Sequence, residues 1–225
     1  DEVVVHTARL LDGWGDRTPL SFTPVLDNMT APAVTIEQRP TEQAHMSMGL
    51  RGLSLTDDDR YSLRLLSVAL GESMGSRLFE EVREKRGLAY AISSGVVSYC
   101  DTGSINIGSG VDPARASEAV QVIVNELVKI REGLTDNELE RAKALSTGRI
   151  MLRMEESRAV AMSNGAQELL TGSVETIDQI ISGIDQVTLD DIRSVAQRLI
   201  RSDKLALSLV GPFKDESEFE KALDF

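Results

Sequence analysis

The chain has 225 residues, of which 41% are hydrophobic and 27% are charged, and this is the composition of an ordinary globular protein. Its formal net charge of −12 argues against nucleic acid as a partner and disfavours an anionic membrane surface, because both attract clustered Lys and Arg. With one cysteine, Cys100, no apolar run of transmembrane length and no signal pattern at the start, the sequence predicts a cytoplasmic protein without a membrane partner.

The first 32 residues divide into a helical stretch and an extended connection. Residues 3–11 carry apolar side chains without an N-cap, which is typical of the tail of a helix that begins further upstream. Residues 17–32 contain Pro19, Pro24 and Pro32, and proline stiffens extended linkers. We therefore expect residues 1–16 to end a helix of a preceding domain, residues 17–32 to form a Pro-rich linker, and residues 33–225 to form one domain.

Five later segments have the pattern of β-strands, with alternating or continuous apolar residues. These segments are residues 33–37, 45–53, 88–99, 104–111 and 205–210. The third and fourth flank Cys100-Asp-Thr-Gly103, a turn signal, and are predicted to form a hairpin.

Sequence patterns that mark the starts of helices lie between these strand segments. Thr56-Asp-Asp-Asp59 predicts a capping box for a helix that ends near Gly71, and Asp112-Pro113 predicts an N-cap followed by proline at the first helical position. Thr135-Asp-Asn-Glu138 predicts a further capping box, while Ser173 and Thr188 are predicted to cap two more helices. Strands early and helices late predict an α+β fold: a mostly antiparallel sheet of about five strands with helices packed on one face.

The stretch from Ser76 to Ser94 is the most informative part of the sequence. It predicts a helix over residues 76–86, stopped by Gly87, and then a strand from residue 88. Arg83 then lies in the last helical turn and Tyr90 lies on the strand, so both side chains can reach one bound group. Spacing alone leaves open that Arg83 is only a helix C-terminal cation and Tyr90 only a core tyrosine.

This stretch, together with Thr41-Glu-Gln-Ala-His45 and Gly49-Leu-Arg-Gly52, resembles the second domain of the M16 (pitrilysin or insulinase type) zinc metallopeptidases, in their bacterial and mitochondrial-processing-like branch. The resemblance implies the M16 peptidase-like α+β fold. It also implies that Arg83 and Tyr90 contact the backbone of an unfolded peptide substrate and support the transition state. The implied partner is a zinc-binding M16 N-terminal domain or subunit, in a homo- or heterodimeric arrangement.

The zinc ligands of that family are missing from this sequence. The family uses an inverted H-x-x-E-H motif, whereas the two histidines here, His6 and His45, are too far apart in sequence to form it. We therefore predict no metal in this chain, zinc in the partner domain or subunit, and no peptidase activity of the chain alone. The alternative function is a catalytically inactive M16-like scaffold or peptide-binding subunit.

Four further segments lead to expectations about binding and packing. Gly108-Ser-Gly-Val-Asp-Pro113 is not expected to bind a dinucleotide, because proline replaces the third glycine of that motif. Met151, Met154 and Met162 are predicted to pack in the core. An exposed strand, assigned to residues 45–53 or its equivalent in the partner, is expected to pair with the extended peptide, and the turn at residues 71–75 is expected to border the substrate cavity.

Overall fold

The structure, a computed structural model, describes residues 2–15 and 21–225. Five strands are present at or close to the predicted positions. They are β1 (Ala33–Gln38), β2 (Ala44–Gly52), β3 (Ala89–Ser98), β4 (Gly103–Val111) and β5 (Ala206–Gly211). Their order in the single sheet is β1-β5-β2-β4-β3.

The sheet is mostly antiparallel, as predicted. β1 and β5 pair in parallel, whereas β5 with β2, β2 with β4, and β4 with β3 pair antiparallel. β2 therefore has a strand on each side, and its peptide groups already have partners along both edges. For this chain the expectation that residues 45–53 pair with a peptide is wrong, because the sheet edges are β1 and β3. The alternative, the equivalent strand of the partner, stays a prediction.

Helices α1 to α8 account for most of the remaining structure. Their bounds are α1 (Glu2–Leu10), α2 (Arg60–Gly71), α3 (Ala116–Ile130), α4 (Asp136–Met154), α5 (Ser157–Thr171), α6 (Ile177–Gln186), α7 (Leu189–Leu199) and α8 (Ser217–Glu220). Along β2, Ala44, Met46 and Met48 are buried, while His45 and Ser47 between them are exposed. This alternation shows that the core lies between one face of the sheet and the helices, as predicted.

Three helix starts agree with the sequence. The Asp112 carboxylate accepts a hydrogen bond from the Ala114 N–H (2.9 Å), and Thr135 and Thr188 each form a reciprocal capping box with the residue three positions later. Each cap accepts hydrogen bonds from backbone N–H groups that would otherwise lack a partner, and such a cap contributes about 1 kcal/mol to the stability of the protein.

Two predicted caps are wrong. At α2 the N-cap is Asp59, whose side chain makes no capping bond; instead the Asp57 and Asp59 carboxylates pair with Arg198 of α7. At α6 the cap is Thr176, which forms a box with Gln179, and not Ser173. At α2 a tertiary partner, Arg198, takes the carboxylates, whereas at α6 a local capping box three residues further along the chain is used.

The methionine prediction is wrong for two of its three residues. Met154 packs against the core, but Met151 is 54% exposed and Met162 is 65% exposed. Met162 lies on α5, which buries only Ala159, and Met151 lies on α4 next to the buried Ile150 but outside the buried set of that helix. Among the described residues, no helix is long and apolar enough to span a membrane.

The N-terminal region is only loosely attached to the domain. Every residue of α1 is exposed. Residues 21–32 form no helix or strand and contact the domain where the Val25 N–H donates to the Asp101 carboxylate (2.8 Å) and Asp27 pairs with Lys204 (3.0 Å). Residues 17–20 of the predicted linker lie outside the described residues, and the domain boundaries stay a prediction.

Candidate functional site

The junction between Arg83 and Tyr90 is built by a widened helical turn. The helix begins at Arg77, but Phe79–Glu84 forms a π-helical turn and not the predicted α-helix; the Lys85 N–H donates to the Glu80 carbonyl at 2.9 Å. Gly87 then has φ +57°, the left-handed conformation predicted for it. π-helical turns are rare in proteins overall, but those that do occur are often found at functional sites.

Arg83 lies between two aromatic rings. Its guanidinium carbon is 4.7 Å from the centroid of Phe79 and 5.5 Å from the centroid of Tyr90. Both distances are within the range of cation–π attraction, which orients the guanidinium without using its N–H donors. The nearest carboxylate oxygen paired with it is Glu84 Oε1, at 3.8 Å. Within residues 2–15 and 21–225 the Arg83 guanidinium makes no hydrogen bond, so its donors can bind another group.

Tyr90 is a surface residue. It is 82% exposed, so the alternative that it is a core tyrosine is wrong. The register of β3 against β4 shifts between Ala89 and Ala91, which makes Tyr90 the extra residue of a β-bulge. A bulge redirects the side chain of its extra residue, and here the phenol lies beside Arg83.

A cavity of about 830 Å³ lies along the outer edge of β3 next to this pair. It is lined by β3 residues between Ile92 and Ser98, by one side of α2, by residues 71–74, and by Phe79 and Arg149. We call this cavity the β3 groove. Phe79 lines the groove and also contacts Arg83, so the pair lies at one end of it. Residues 71–74 of the predicted turn line this groove, and the assignment of the groove as a substrate cavity stays a prediction.

The edge of β3 offers free backbone groups to the groove. The Tyr99 N–H donates to the Thr102 carbonyl (2.8 Å), and Val97 and Gly95 are paired with Ser104 and Asn106 of β4. In an antiparallel ladder the peptide groups of alternate residues point to opposite sides. The peptide groups of Val96 and Ser98 therefore point away from β4, where an extended chain can pair with them.

A hydrogen-bonded network holds the edge strand and the turn together. Ser94 Oγ donates to the Ser67 carbonyl (2.9 Å), and Ser67 Oγ donates to Glu72 Oε1 (2.7 Å). Arg149 of α4 donates to Glu72 Oε2 (3.0 Å) and to the Glu72 carbonyl (2.7 Å). Gly71 permits this approach, because a Cβ there would lie 2.6 Å from the Ser94 nitrogen.

Comparison with known proteins identifies the family of this chain. The family model described as "Peptidase M16 inactive domain" matches residues 1–146. The chain belongs to the M16 peptidase family. Because the match is to the inactive domain, it confirms the resemblance to the non-zinc-binding half of the family.

Relatives of this M16 domain include proteins described as uncharacterized zinc proteases. One from Streptomyces coelicolor is 38% identical over 179 residues, which cover 79% of this chain and 39% of that protein. One from Bacillus subtilis is 37% identical over 176 residues, which cover 78% of this chain and 43% of that protein. The M16 domain thus spans less than half the length of these relatives.

A solved structure shares the fold of the M16 domain. A protease from Helicobacter pylori superposes with a TM-score of 0.83 at 21% identity, over 94% of this chain and 52% of that one. At this identity the likeness shows the fold alone. It agrees with the α+β architecture predicted from the sequence.

The histidines of this M16 domain lie apart from the Arg83–Tyr90 pair. His6 is exposed on α1, and His45 is exposed on the open face of β2. Within residues 2–15 and 21–225, no group of three or more His, Cys, Asp or Glu side chains could hold a metal ion. The residues described here therefore do not fit a zinc site.

Ion pairs fix the turn that carries Arg83. Arg77 donates to Glu138 Oε1 (2.6 Å), which belongs to the capping box of α4. Burial raises the pKa of Glu138, but the bonds from Arg77 and Thr135 outweigh burial and hold that pKa at about 2. Hydrogen bonds from Lys85 and Arg86 lower the pKa of Glu81 to about 2 as well. The π-helical turn is thus tied to α4 and to its own C-terminal end.

Sequence reasoning missed Phe79 and the arginines of the β3 groove. Phe79 precedes Arg83 by four residues, a spacing that places two helical side chains on one side. That spacing is the signal that would have found it. The groove arginines are contributed by α2 and α4, and their proximity to β3 is not visible in the local sequence.

Proposed function

We propose that this domain is the substrate-binding, non-zinc-binding half of an M16-type zinc metalloendopeptidase that acts on unfolded peptides. The observation that carries the proposal is the pairing of Arg83 with Tyr90: the guanidinium lies 5.5 Å from the phenol ring, at the end of a groove lined by an edge strand. Zinc and the general base belong to the partner, a zinc-binding M16 N-terminal domain or subunit.

In this role Arg83 and Tyr90 donate hydrogen bonds to the peptide. A guanidinium keeps its charge at all physiological pH values, and a phenol is a directed donor. Both donors suit a substrate carbonyl whose oxygen gains negative charge in the transition state. A donor in a fixed position stabilises that charged oxygen more than it stabilises the neutral carbonyl of the bound substrate. The ring contacts leave the Arg83 donors free for this task.

The β3 groove supplies the binding surface for the rest of the peptide. An unfolded segment in extended conformation can add to β3 as a further strand, through main-chain hydrogen bonds to residues such as Val96 and Ser98. Because those bonds involve only backbone groups, they accept many sequences. Any preference for particular peptide side chains then comes from the protein side chains that line the groove.

The test is Tyr90→Phe in the natural protein that contains this domain, together with its zinc-binding half. Loss of one oxyanion donor typically lowers kcat by about a hundred- to a thousandfold, and we expect a fall of that order with an unchanged melting temperature. Tyr99→Phe is the matched control, because Tyr99 is also an exposed tyrosine but lies at the hairpin end outside the groove lining.

Wild-type turnover of Tyr90→Phe would show that the phenol is not a transition-state donor. Retained peptide binding without any turnover in the parent protein would instead favour the catalytically inactive scaffold or peptide-binding subunit. In either case we expect the chain alone to cleave no peptide. Its cytoplasmic location and its homo- or heterodimeric arrangement stay predictions from the sequence.

A further inference from the structure

We propose that the β3 groove selects peptides that present a carboxylate to Arg64. The inference rests on the proposed function, because it names the chemical class of peptide that the same groove takes. The proposal is supported by the charged side chains that line the groove and by the ion pairs that those side chains already form within the protein.

The groove is basic in an otherwise acidic protein. Arg60, Arg64 and Arg149 line it, with Glu72 as the one carboxylate of the lining, although the formal net charge of the chain is −12. A cavity that concentrates one sign of charge attracts ligand groups of the opposite sign.

Two of the three arginines are already paired. Arg60 donates to Glu175 Oε1 (2.7 Å), and Arg149 donates to Glu72 Oε2 (3.0 Å). Arg64 is exposed, and it has neither an ion pair nor a hydrogen bond to any side chain within the parts of the chain that the structure describes. It follows Arg60 by four residues on α2, so the two like charges are neighbours on one side of the helix. A carboxylate from outside would relieve that repulsion.

The carboxylates near Arg64 do not compete for it. Glu72 accepts from Ser67 and Arg149, one on each oxygen. Glu175 accepts from Arg60 and from the Tyr61 hydroxyl, which lies 3.1 Å from both of its oxygens. Glu72 in the groove lining and Glu175 behind Arg60 are therefore both already paired, and the charge of Arg64 remains for a ligand.

The surface that presents Arg64 is fixed. The Arg60 guanidinium lies 4.4 Å from the Tyr61 ring centroid, and Gly183 of α6 makes room for that ring, since a Cβ there would lie 2.4 Å from it. The segment of α2 that carries Arg60 and Arg64 is thus held in place by the contacts of Arg60 and Tyr61. The negative charges elsewhere on the chain act weakly at this point, because the Debye length is about 8 Å at physiological salt.

The carboxylate has two possible sources in a peptide: an Asp or Glu side chain, or the free C-terminus. Both present the same two oxygens to a guanidinium. Four labelled peptides separate the sources. They share one neutral extended sequence with either Glu or Gln at a central position, each with a free or an amidated C-terminus.

Binding is measured by fluorescence anisotropy on the full natural protein that contains this domain, with a zinc chelator present so that peptides are bound and not cleaved. Because Arg64 is exposed, a carboxylate that pairs with it should make a peptide bind about two- to fivefold more tightly than the Gln amide. Arg64→Gln removes this preference, and Arg64→Glu reverses it in favour of a Lys-containing peptide. Arg39→Gln is the matched control, because Arg39 is exposed beside β1 at the opposite edge of the sheet.

The outcomes are distinct. Tighter binding caused only by the Glu side chain, or only by the free C-terminus, supports the proposal and identifies which of the two carboxylates is recognised. Equal binding of all four peptides, or a preference that survives Arg64→Gln, overturns it while leaving the peptide-binding function intact. If no peptide binds at all, the proposed function fails and this inference fails with it.

Discussion

At the scale of single residues, the site depends on how Arg83 is held. Its guanidinium lies between Phe79 and Tyr90, at 4.7 Å and 5.5 Å from the ring centroids. The sequence predicted Arg83 and Tyr90, because a helix end and a strand start fix their separation locally. It did not predict that Tyr90 is the extra residue of a bulge, which depends on the register with β4.

Phe79→Leu should weaken catalysis without removing either donor. A cation–π contact of roughly 0.5–2 kcal/mol orients Arg83, so its loss should lower kcat/KM by about 2- to 30-fold. Phe79→Trp keeps a ring over the guanidinium and should retain most of the activity. Steady-state kinetics of both variants, combined with Arg83→Lys in a double-mutant cycle, measures the coupling. Additive effects of Phe79→Leu and Arg83→Lys would show that the ring does not act through Arg83.

At the scale of elements, two contacts place the π-helical turn and the edge strand. Arg77 ties the turn to the capping box of α4 through Glu138, and Gly71 brings the end of α2 against Ser94 of β3. The cap at Thr135 was predictable, because capping is a local pattern. The bond from Arg77 was not, because it joins residues 61 positions apart.

The Glu138 contact makes stability depend on pH. Its carboxyl has a pKa of about 2 in the folded protein against 4.5 ordinarily, so its contribution is present above about pH 4.5 and is lost as the pH falls towards 2. Urea unfolding at pH 6 and pH 3 should show that Glu138→Gln costs about 1–2 kcal/mol at pH 6 and less at pH 3. Glu140→Gln, an exposed neighbour on α4, should leave both values unchanged. A Glu138→Gln cost that is the same at both pH values would contradict this assignment.

Two glycine substitutions on helices should have opposite effects. Gly71→Ala places a Cβ 2.6 Å from the Ser94 nitrogen and 2.7 Å from its Oγ, so α2 must move and stability should fall by about 1–3 kcal/mol. Gly148→Ala on α4 meets nothing within 4 Å and should raise stability by roughly 0.5–1 kcal/mol through helix propensity. Denaturant unfolding of both variants checks the pair. If Gly71→Ala is as stable as the parent, the contact between α2 and β3 is not tight.

At the scale of the whole molecule, strand order decides where a peptide can bind. The α+β class and the five strands were predictable from local patterns. Their order was not, because β1 pairs with β5 from the far end of the chain and β2 is thereby enclosed. That pairing explains why residues 45–53 were wrongly expected to receive the peptide. It leaves β3, which carries Tyr90, as the edge strand beside the groove.

The central claim is that Arg83 and Tyr90 act on the transition state and not on peptide binding alone. The most direct measurement is the single-turnover rate of the full natural protein with its zinc-binding half, comparing the parent with the Arg83→Gln/Tyr90→Phe double variant at saturating peptide. We predict a chemical step slower by at least about a hundredfold, with peptide affinity changed only a few-fold. A parental rate for the chemical step in the double variant would contradict the claim.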